Sequence, residues 1–257
     1  MIGQSQNISV KAGTYLFENN ISLQHVLDRL NQSDYGDIYV SVTIPEGSTL
    51  TQIGEILNAQ GFENFSIAEF NTITENQEGY LFPDTYNFLP TADTETIVQK
   101  FIDTFDVKTE SFKKILPANR SWQDVVTMAS LIEKEATGDL QEKQLVSGIL
   151  WKRLDEGMLL QVDAPFQYLH GIVDAKDLRI DGPYNTYTRP GLTPPPIGSP
   201  GLDSIKAAFD PIMSPYYFYL HSSNGDIHYG KTYRDHFNNI NKYLRYRWFV
   251  YNKNYEK

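Results

Sequence analysis

Cysteine is absent from the chain, which excludes disulfides, thiol nucleophiles and cysteine-ligated zinc and leaves the redox compartment open. No stretch approaches the roughly 18 consecutive apolar residues of a membrane span, and the opening MIGQSQNISV lacks the basic start and apolar core of a signal peptide. The chain as it stands is therefore expected to be soluble. Positive charge is scarce: 22 Lys and Arg against 32 Asp and Glu give a net charge of -10, without a Lys/Arg run. Nucleic acid would meet adverse electrostatics and is not an expected partner. Also missing are G-x-S-x-G, G-x-x-x-x-G-K-[ST] and H-E-x-x-H, the common signatures of serine hydrolases, nucleotide binders and zinc proteases. His25, His170, His221, His228 and His236 show no i,i+4 pair, so a zinc site would have to assemble from distant pieces.

What remains is globular in composition, 40% hydrophobic and 21% charged, in a chain long enough for two units. With 17 Tyr and 14 Phe it is rich in flat rings, which suit sugar surfaces as well as cores. Alternation in ISVKAGTYLF predicts a strand, and NISLQHVLDRLNQ a helix with Ile21, Val26, Leu27 and Leu30 on one face. DIYVSVTIPEG predicts a second strand ended by Pro45 and Gly47. STLTQIGEILNAQG predicts a helix capped by Ser48 or Thr49 and stopped at Gly61. Together these make a compact α+β module.

Farther along come a partly helical polar stretch at 62–79, the extended EGYLFPDTYNF, and the helix TADTETIVQKFIDTF with Ile97, Phe101, Ile102 and Phe105 inward. A linker at Pro117 leads to SWQDVVTMASLIEKEA, whose start carries a capping box of Ser121 and Asp124. Another amphipathic helix, EKQLVSGILWKRLDEG, precedes MLLQVDAPFQYLHG. Residues 182–201 are rich in proline and glycine and can be neither helix nor central strand; their Tyr, Asn, Thr and Arg predict an ordered, functional loop. SPGLDSIKAAFDP predicts a short helix capped near Ser199 or Asp203, YYFYLHSSNGDIHYG a hairpin turned at Asn224-Gly225, and RDHFNNINKYLRYRWFVYN a closing helix.

Charge in the middle of MASLIEKEATG marks the first candidate site. At about 100° per residue, Val125, Met128, Ala129, Ile132 and Ala136 form the buried stripe of a half-buried helix, Lys134 points away, and Glu133 and Glu135 fall about 80° to either side. The two glutamates therefore cannot face one cleft. A carboxyl at the edge of an apolar stripe loses hydration of its charged form, holds its proton toward neutral pH and can act as a general acid. The other reading is a pair of solvated flank residues, and pattern alone favours it. Gln161, Asp163, Tyr184, Asn185, Thr186, Tyr187 and Arg189 gather in LQVDAPF and YNTYTRPGL. Such groups suit sugar hydroxyls and amides, or turn chemistry in a proline-rich loop.

Taken together, VTIPEGSTLTQIGEIL, EGYLFPDTYNF, ASLIEKEA, LQVDAPFQYLHG, YNTYTRPGLTPPPIGSPGLDSIKAAFDP and HYGKTYRDHFNNINKYL occur in the order and spacing of the endolytic murein transglycosylase family (MltG, YceG-like), from about residue 8 to about 245. The resemblance implies an α+β fold: a small LysM-like β-α module, residues 1–75, N-terminally shortened relative to the family, and a mixed α+β catalytic domain, residues 76–257. It implies a lyase that cuts nascent peptidoglycan strands internally without cofactor or metal. By the family's motif the catalytic acid is Glu133, with Glu135 as runner-up, and Gln161, Asp163, Tyr184, Asn185, Thr186, Tyr187 and Lys231 bind substrate. Tyr229 and Gly230 depart from the family, where relatives often carry Phe and a small polar residue. The implied partners are peptidoglycan glycan strands and penicillin-binding glycan synthases of the elongation machinery. The implied place is the extracytoplasmic face of the bacterial membrane, held there by an N-terminal transmembrane helix that this chain lacks.

A lytic transglycosylase needs only one acid. Protonated carboxyl gives its proton to the glycosidic oxygen between N-acetylmuramic acid and N-acetylglucosamine, then accepts one from the muramic C6 hydroxyl as that oxygen closes a 1,6-anhydro ring. Two other readings follow from the same residues: a wall-binding or scaffolding module without cleavage activity, and a hydrolase in which Asp163 or Asp181 activates water.

Overall fold

The computed structural model describes residues 15, 17, 20–32, 39–116, 119–171 and 177–244. Alternating side chains in VSVT and TYNF send Val42, Tyr86 and Phe88 inward. These segments pair: β1 (Val40–Thr43) runs antiparallel to β2 (Thr85–Phe88), with Val40 opposite Phe88 and Thr43 opposite Thr85. Against this ribbon pack α2 (Leu50–Ala59), α3 (Ile67–Ile73) and the first half of α4 (Thr94–Lys113), burying Ile53, Leu57, Phe70, Ile97 and Phe101. Tyr86 and Phe101 meet edge to face at 4.5 Å, a favourable ring geometry.

This core draws residues from both sides of position 75, where the two units were expected to divide, because the partner of β1 lies in EGYLFPDTYNF. The strand expected from ISVKAGTYLF falls outside the described residues, apart from Tyr15 and Phe17. The helix expected after it forms as α1 (Leu23–Gln32), and Thr49 is the residue that caps α2.

The larger core is built around α5 (Trp122–Glu135), whose start carries the expected reciprocal bonds of Ser121 and Asp124. Every residue from Val125 to Ile132 is buried, so the expectation of a half-buried helix is corrected. A helix covered all round sits at the centre of its domain, and α5 is covered by α6 (Leu140–Asp155), α7 (Ala164–His170) and α8 (Leu202–Phe209). Its buried Ser130 is satisfied internally: Oγ donates to the Thr127 carbonyl at 2.7 Å and accepts from Ile197 N at 3.1 Å. Trp151 Nε1 donates to the Ala208 carbonyl at 2.9 Å, fastening α6 to α8.

The segment 182–201 is an ordered loop, as its composition predicted, with Pro196 to Gly201 buried. It is clipped to the turn after β1 by bonds from Gly47 N to the Ser199 carbonyl (2.7 Å) and from Ser199 N to the Ser48 carbonyl (2.8 Å). The hairpin expected near the C-terminus is β3 (Phe218–His221) and β4 (Ile227–Gly230), with Gly225 at φ 89° in its turn. After it come α9 (Tyr233–Asn239) and a π-turn, Ile240–Leu244; the rest of the expected closing helix, and the linker at Pro117, lie outside the described residues. No helix among the described residues is long and apolar enough to cross a membrane.

Candidate active site

The last turn of α5 carries the two glutamates into different surroundings. The Glu133 side chain is only 9% exposed and both its oxygens are engaged. Oε1 pairs with Lys143 Nζ at 3.3 Å, and Oε2 accepts from Gly201 N at 2.9 Å. Gly201 is the N-cap residue of α8 and has no side chain with which to cap it. The carboxylate of Glu133 therefore serves as the cap from 68 residues away, where the unpaired N–H groups and the dipole of a helix start favour negative charge. This corrects the expected cap at Ser199 or Asp203. Lys143, itself buried on α6, also donates to Ser204 Oγ at 3.0 Å. The Glu46 carboxyl lies against Gly201, and its pKa is raised, first by partial burial and then by the charge of Glu133.

Glu135 instead lines a cleft of about 770 Å³, together with Gln52, Lys134, Asp163, Gln167 and Tyr168. Its pKa is raised above the usual carboxylate value because burial strips water from the charged form. The negative charge of Asp163 adds to the rise, while the Tyr219 hydroxyl, which donates to Oε2 at 3.0 Å, opposes it. Lys134 is exposed at the rim, as its place on the helix predicted.

Asp163 stands at the start of α7 without capping it, and its Oδ1 accepts from the Tyr187 hydroxyl at 2.6 Å. Gln161 adopts a left-handed backbone, φ 54°, a strained state for a residue with a side chain. Its Oε1 accepts from Nη2 of Arg153, which is buried on α6. Thr186 braces this segment, accepting from Val162 N at 3.0 Å and donating to the Val162 carbonyl at 2.8 Å. Asn185 is buried and donates to the Leu178 and Ile180 carbonyls at 2.8 and 2.6 Å.

Thus Glu135, Asp163 and Tyr187 come together, with Gln161 beside them, whereas Asn185 and Thr186 hold the loop's shape from beneath. Tyr184 lines a second cleft of about 710 Å³, together with Glu78, Tyr80, Gln123 and Pro194 to Pro196. Lys231 is exposed in the turn before α9 and lines neither cleft. Asp181 and Arg189 form an exposed pair at 2.8 and 2.9 Å, and that bond lowers the Asp181 pKa to about 2. Among the described residues no group of three or more His, Asp or Glu could hold a metal ion.

Sequence reading missed Lys143, Tyr219, Tyr168 and Glu78. Glu78 lies within EGYLFPDTYNF and Tyr168 within LQVDAPFQYLHG, but nothing in those motifs set these residues apart. Glu78 is buried, accepts from the Tyr168 hydroxyl at 2.8 Å, and has a pKa raised chiefly by desolvation. Lys143 could have been noticed as a cation on an apolar face; Tyr219 carries no sequence signal.

A raised carboxyl at the wall of an open cleft sits in a chain whose residues 2–242 match the YceG-like family. The chain belongs to that family. It is 33% identical over 265 residues to an endolytic murein transglycosylase of Bacillus subtilis, covering 91% of this chain and 73% of the relative. An endolytic murein transglycosylase of Streptococcus pneumoniae is 27% identical over 281 residues, and there the match spans 91% of this chain and 51% of the relative, about half its length. The crystal structure of a YceG-like protein from Listeria monocytogenes superposes with a TM-score of 0.69 at 28% identity, covering 88% of this chain and 84% of that one. The α+β fold of this YceG-like chain is thereby that of a solved relative.

Proposed function

We propose that this YceG-like protein is an endolytic peptidoglycan lytic transglycosylase and that Glu135, the runner-up of the sequence reading, is its acid. The observation that carries this choice is that Glu135 lines the cleft with a pKa raised by burial, while both oxygens of Glu133 are bound by Lys143 and Gly201 N. Family membership and the names of the Bacillus and Streptococcus relatives support the reaction.

Protonated Glu135 donates to the oxygen linking N-acetylmuramic acid to N-acetylglucosamine, and the bond from that oxygen to the muramic anomeric carbon breaks. The carboxylate then takes the proton of the muramic C6 hydroxyl while C6 oxygen bonds to the anomeric carbon, giving a 1,6-anhydro end. The proton count closes on one residue and no water enters. Burial holds the proton before cleavage, and Tyr219 fixes the carboxyl's direction. Asp163 lines the cleft beside it with the Tyr187 hydroxyl bonded to it, and Gln161, bound by Arg153, shapes the strained turn that leads to Asp163. Lys231 has no role in this reading. In the surroundings proposed, the wall side of a bacterial membrane, the enzyme ends strands that glycan synthases elongate. The small core around β1 and β2, LysM-like by resemblance, supplies one wall of the cleft through α2.

Digestion of un-cross-linked strands followed by mass spectrometry tests the reading. Fragments one water lighter than hydrolysis products, lost with Glu135→Gln, are expected. Hydrated ends would instead support a hydrolase using Asp163, which lines the same cleft. Binding without new ends would support a scaffold.

A further inference from the structure

The second cleft has no part in the proton transfers, yet it is continuous in construction with the first. Tyr168 of α7 lines both. The first turn of α2 is also common to them: Thr49 and Gln52 line the Glu135 cleft, Leu50 lines the other, and Leu50 N points to the Glu78 carboxyl at 3.3 and 3.4 Å. Tyr168 thus stands between the two clefts, its hydroxyl bound to Glu78 and its ring stacked on Tyr184 at 5.7 Å.

The chemistry of the second half is selective. No Lys, Arg or His lines it, so it offers nothing to a phosphate or another anion. It presents the amides of Asn76, Gln77 and Gln123, the hydroxyls of Tyr80 and Tyr184 and the apolar faces of Pro194 to Pro196, beside the carboxyls of Glu75 and of Glu78, the latter already bound by the Tyr168 hydroxyl. Neutral donors and acceptors beside flat apolar faces match hydroxyl and acetamido groups on a sugar ring. Its volume, about 710 Å³, lies within the roughly 300–1,000 Å³ of small-molecule sites.

We propose that this second cleft binds the N-acetylated hexose units that continue the strand past the cleavage point, so that strands filling both halves are cut in preference to short ones. The inference rests on the Glu135 cleft being the place of cleavage. It makes internal cutting a property of groove length: a strand end that leaves the second half empty forfeits those contacts.

The test compares kcat/KM on un-cross-linked strands of four and of twelve or more sugars for the unmodified protein and for Asn76→Trp, whose exposed position allows a bulky ring to occupy the cleft without entering the core. Glu78→Gln, nearly isosteric, is the second variant. The preference for long over short strands is expected to fall about tenfold, through KM more than kcat, as for the loss of one or two good contacts. An unchanged preference, or equal loss on both lengths in a protein of unaltered melting temperature, would overturn the inference. If the unmodified protein cuts neither substrate, the cleavage reading fails by itself. The second cleft is then judged by binding of long strands, which Asn76→Trp must weaken about tenfold; equal binding overturns it.

Discussion

The two sides of the last turn of α5 present one residue type in two chemical situations. On one side Glu133 is enclosed, joining α5 to the start of α8 and to Lys143 of α6. On the other Glu135 is partly desolvated but faces a cavity, held by a tyrosine hydroxyl. A buried carboxylate bound to a cation and a backbone N–H secures a fold, whereas a buried carboxyl with a raised pKa and an open side is prepared for proton transfer. The difference lies in the partners that neighbouring elements bring, since the two residues are only one position apart from being neighbours.

The sharpest way to break this comparison is to exchange the effects. Glu135→Gln is expected to lower strand cleavage by about 10²–10⁴-fold, the usual worth of a positioned acid, measured as anhydro ends released per unit time. It should fold at least as well as the unmodified chain. The sign follows from the raised pKa: stability from the proton that folded Glu135 retains is present at low pH and is lost as pH rises through the folded pKa, so at neutral pH the neutral amide removes a penalty. Full activity in Glu135→Gln with loss in a folded Glu133→Gln would reverse the assignment.

Glu133→Ala is expected to act on stability, by about 3–5 kcal/mol, because it leaves the charge of Lys143 buried without its partner. Denaturant unfolding measures it, and Glu133→Ala with Lys143→Met should recover part of the loss. Tyr219→Phe should have a smaller effect with a diagnostic direction. Its hydroxyl lowers the Glu135 pKa, so removing it shifts the high-pH limb of the rate profile to higher pH, where a purely structural role would lower the rate at all pH values alike. The smallest effect tests a feature shared by both glutamates, the start of their helix: Ser121→Ala removes one cap bond and should cost about 1 kcal/mol, read as a lower melting temperature with the site's pH profile unchanged.

Much of this was readable from residue order. The cap of α5 followed from Ser121 and Asp124, the hairpin from Asn224-Gly225, and the inward face of α4 from the spacing of Ile97, Phe101 and Phe105, because each depends on residues within a few positions of one another. The placement of Glu133 and Glu135 about 80° to either side of the apolar stripe was likewise legible, and with it the conclusion that they face apart. Which of them meets the cleft was not. The motif pointed to Glu133, and the structure supplies what the motif could not contain: Gly201 and Lys143 on one side, Tyr219 and Asp163 on the other. Asn185 and Thr186 show the same limit, since a polar residue in a loop gives no sign of whether it meets ligand or backbone; here both meet backbone.

By itself the sequence determined most of the elements, the cap of α5, the ordered character of the proline-rich loop and the family, since propensity, turn chemistry and motif order are local or linear properties. Only the tertiary structure decided that β1 pairs with β2 across position 75, that α5 is buried on all sides from Val125 to Ile132, and that Glu135 borders the open cleft. Those outcomes depend on solvent exclusion and electrostatic pairing between segments tens of residues apart, and a carboxyl's proton affinity is set by the water and charges that remain around it after packing.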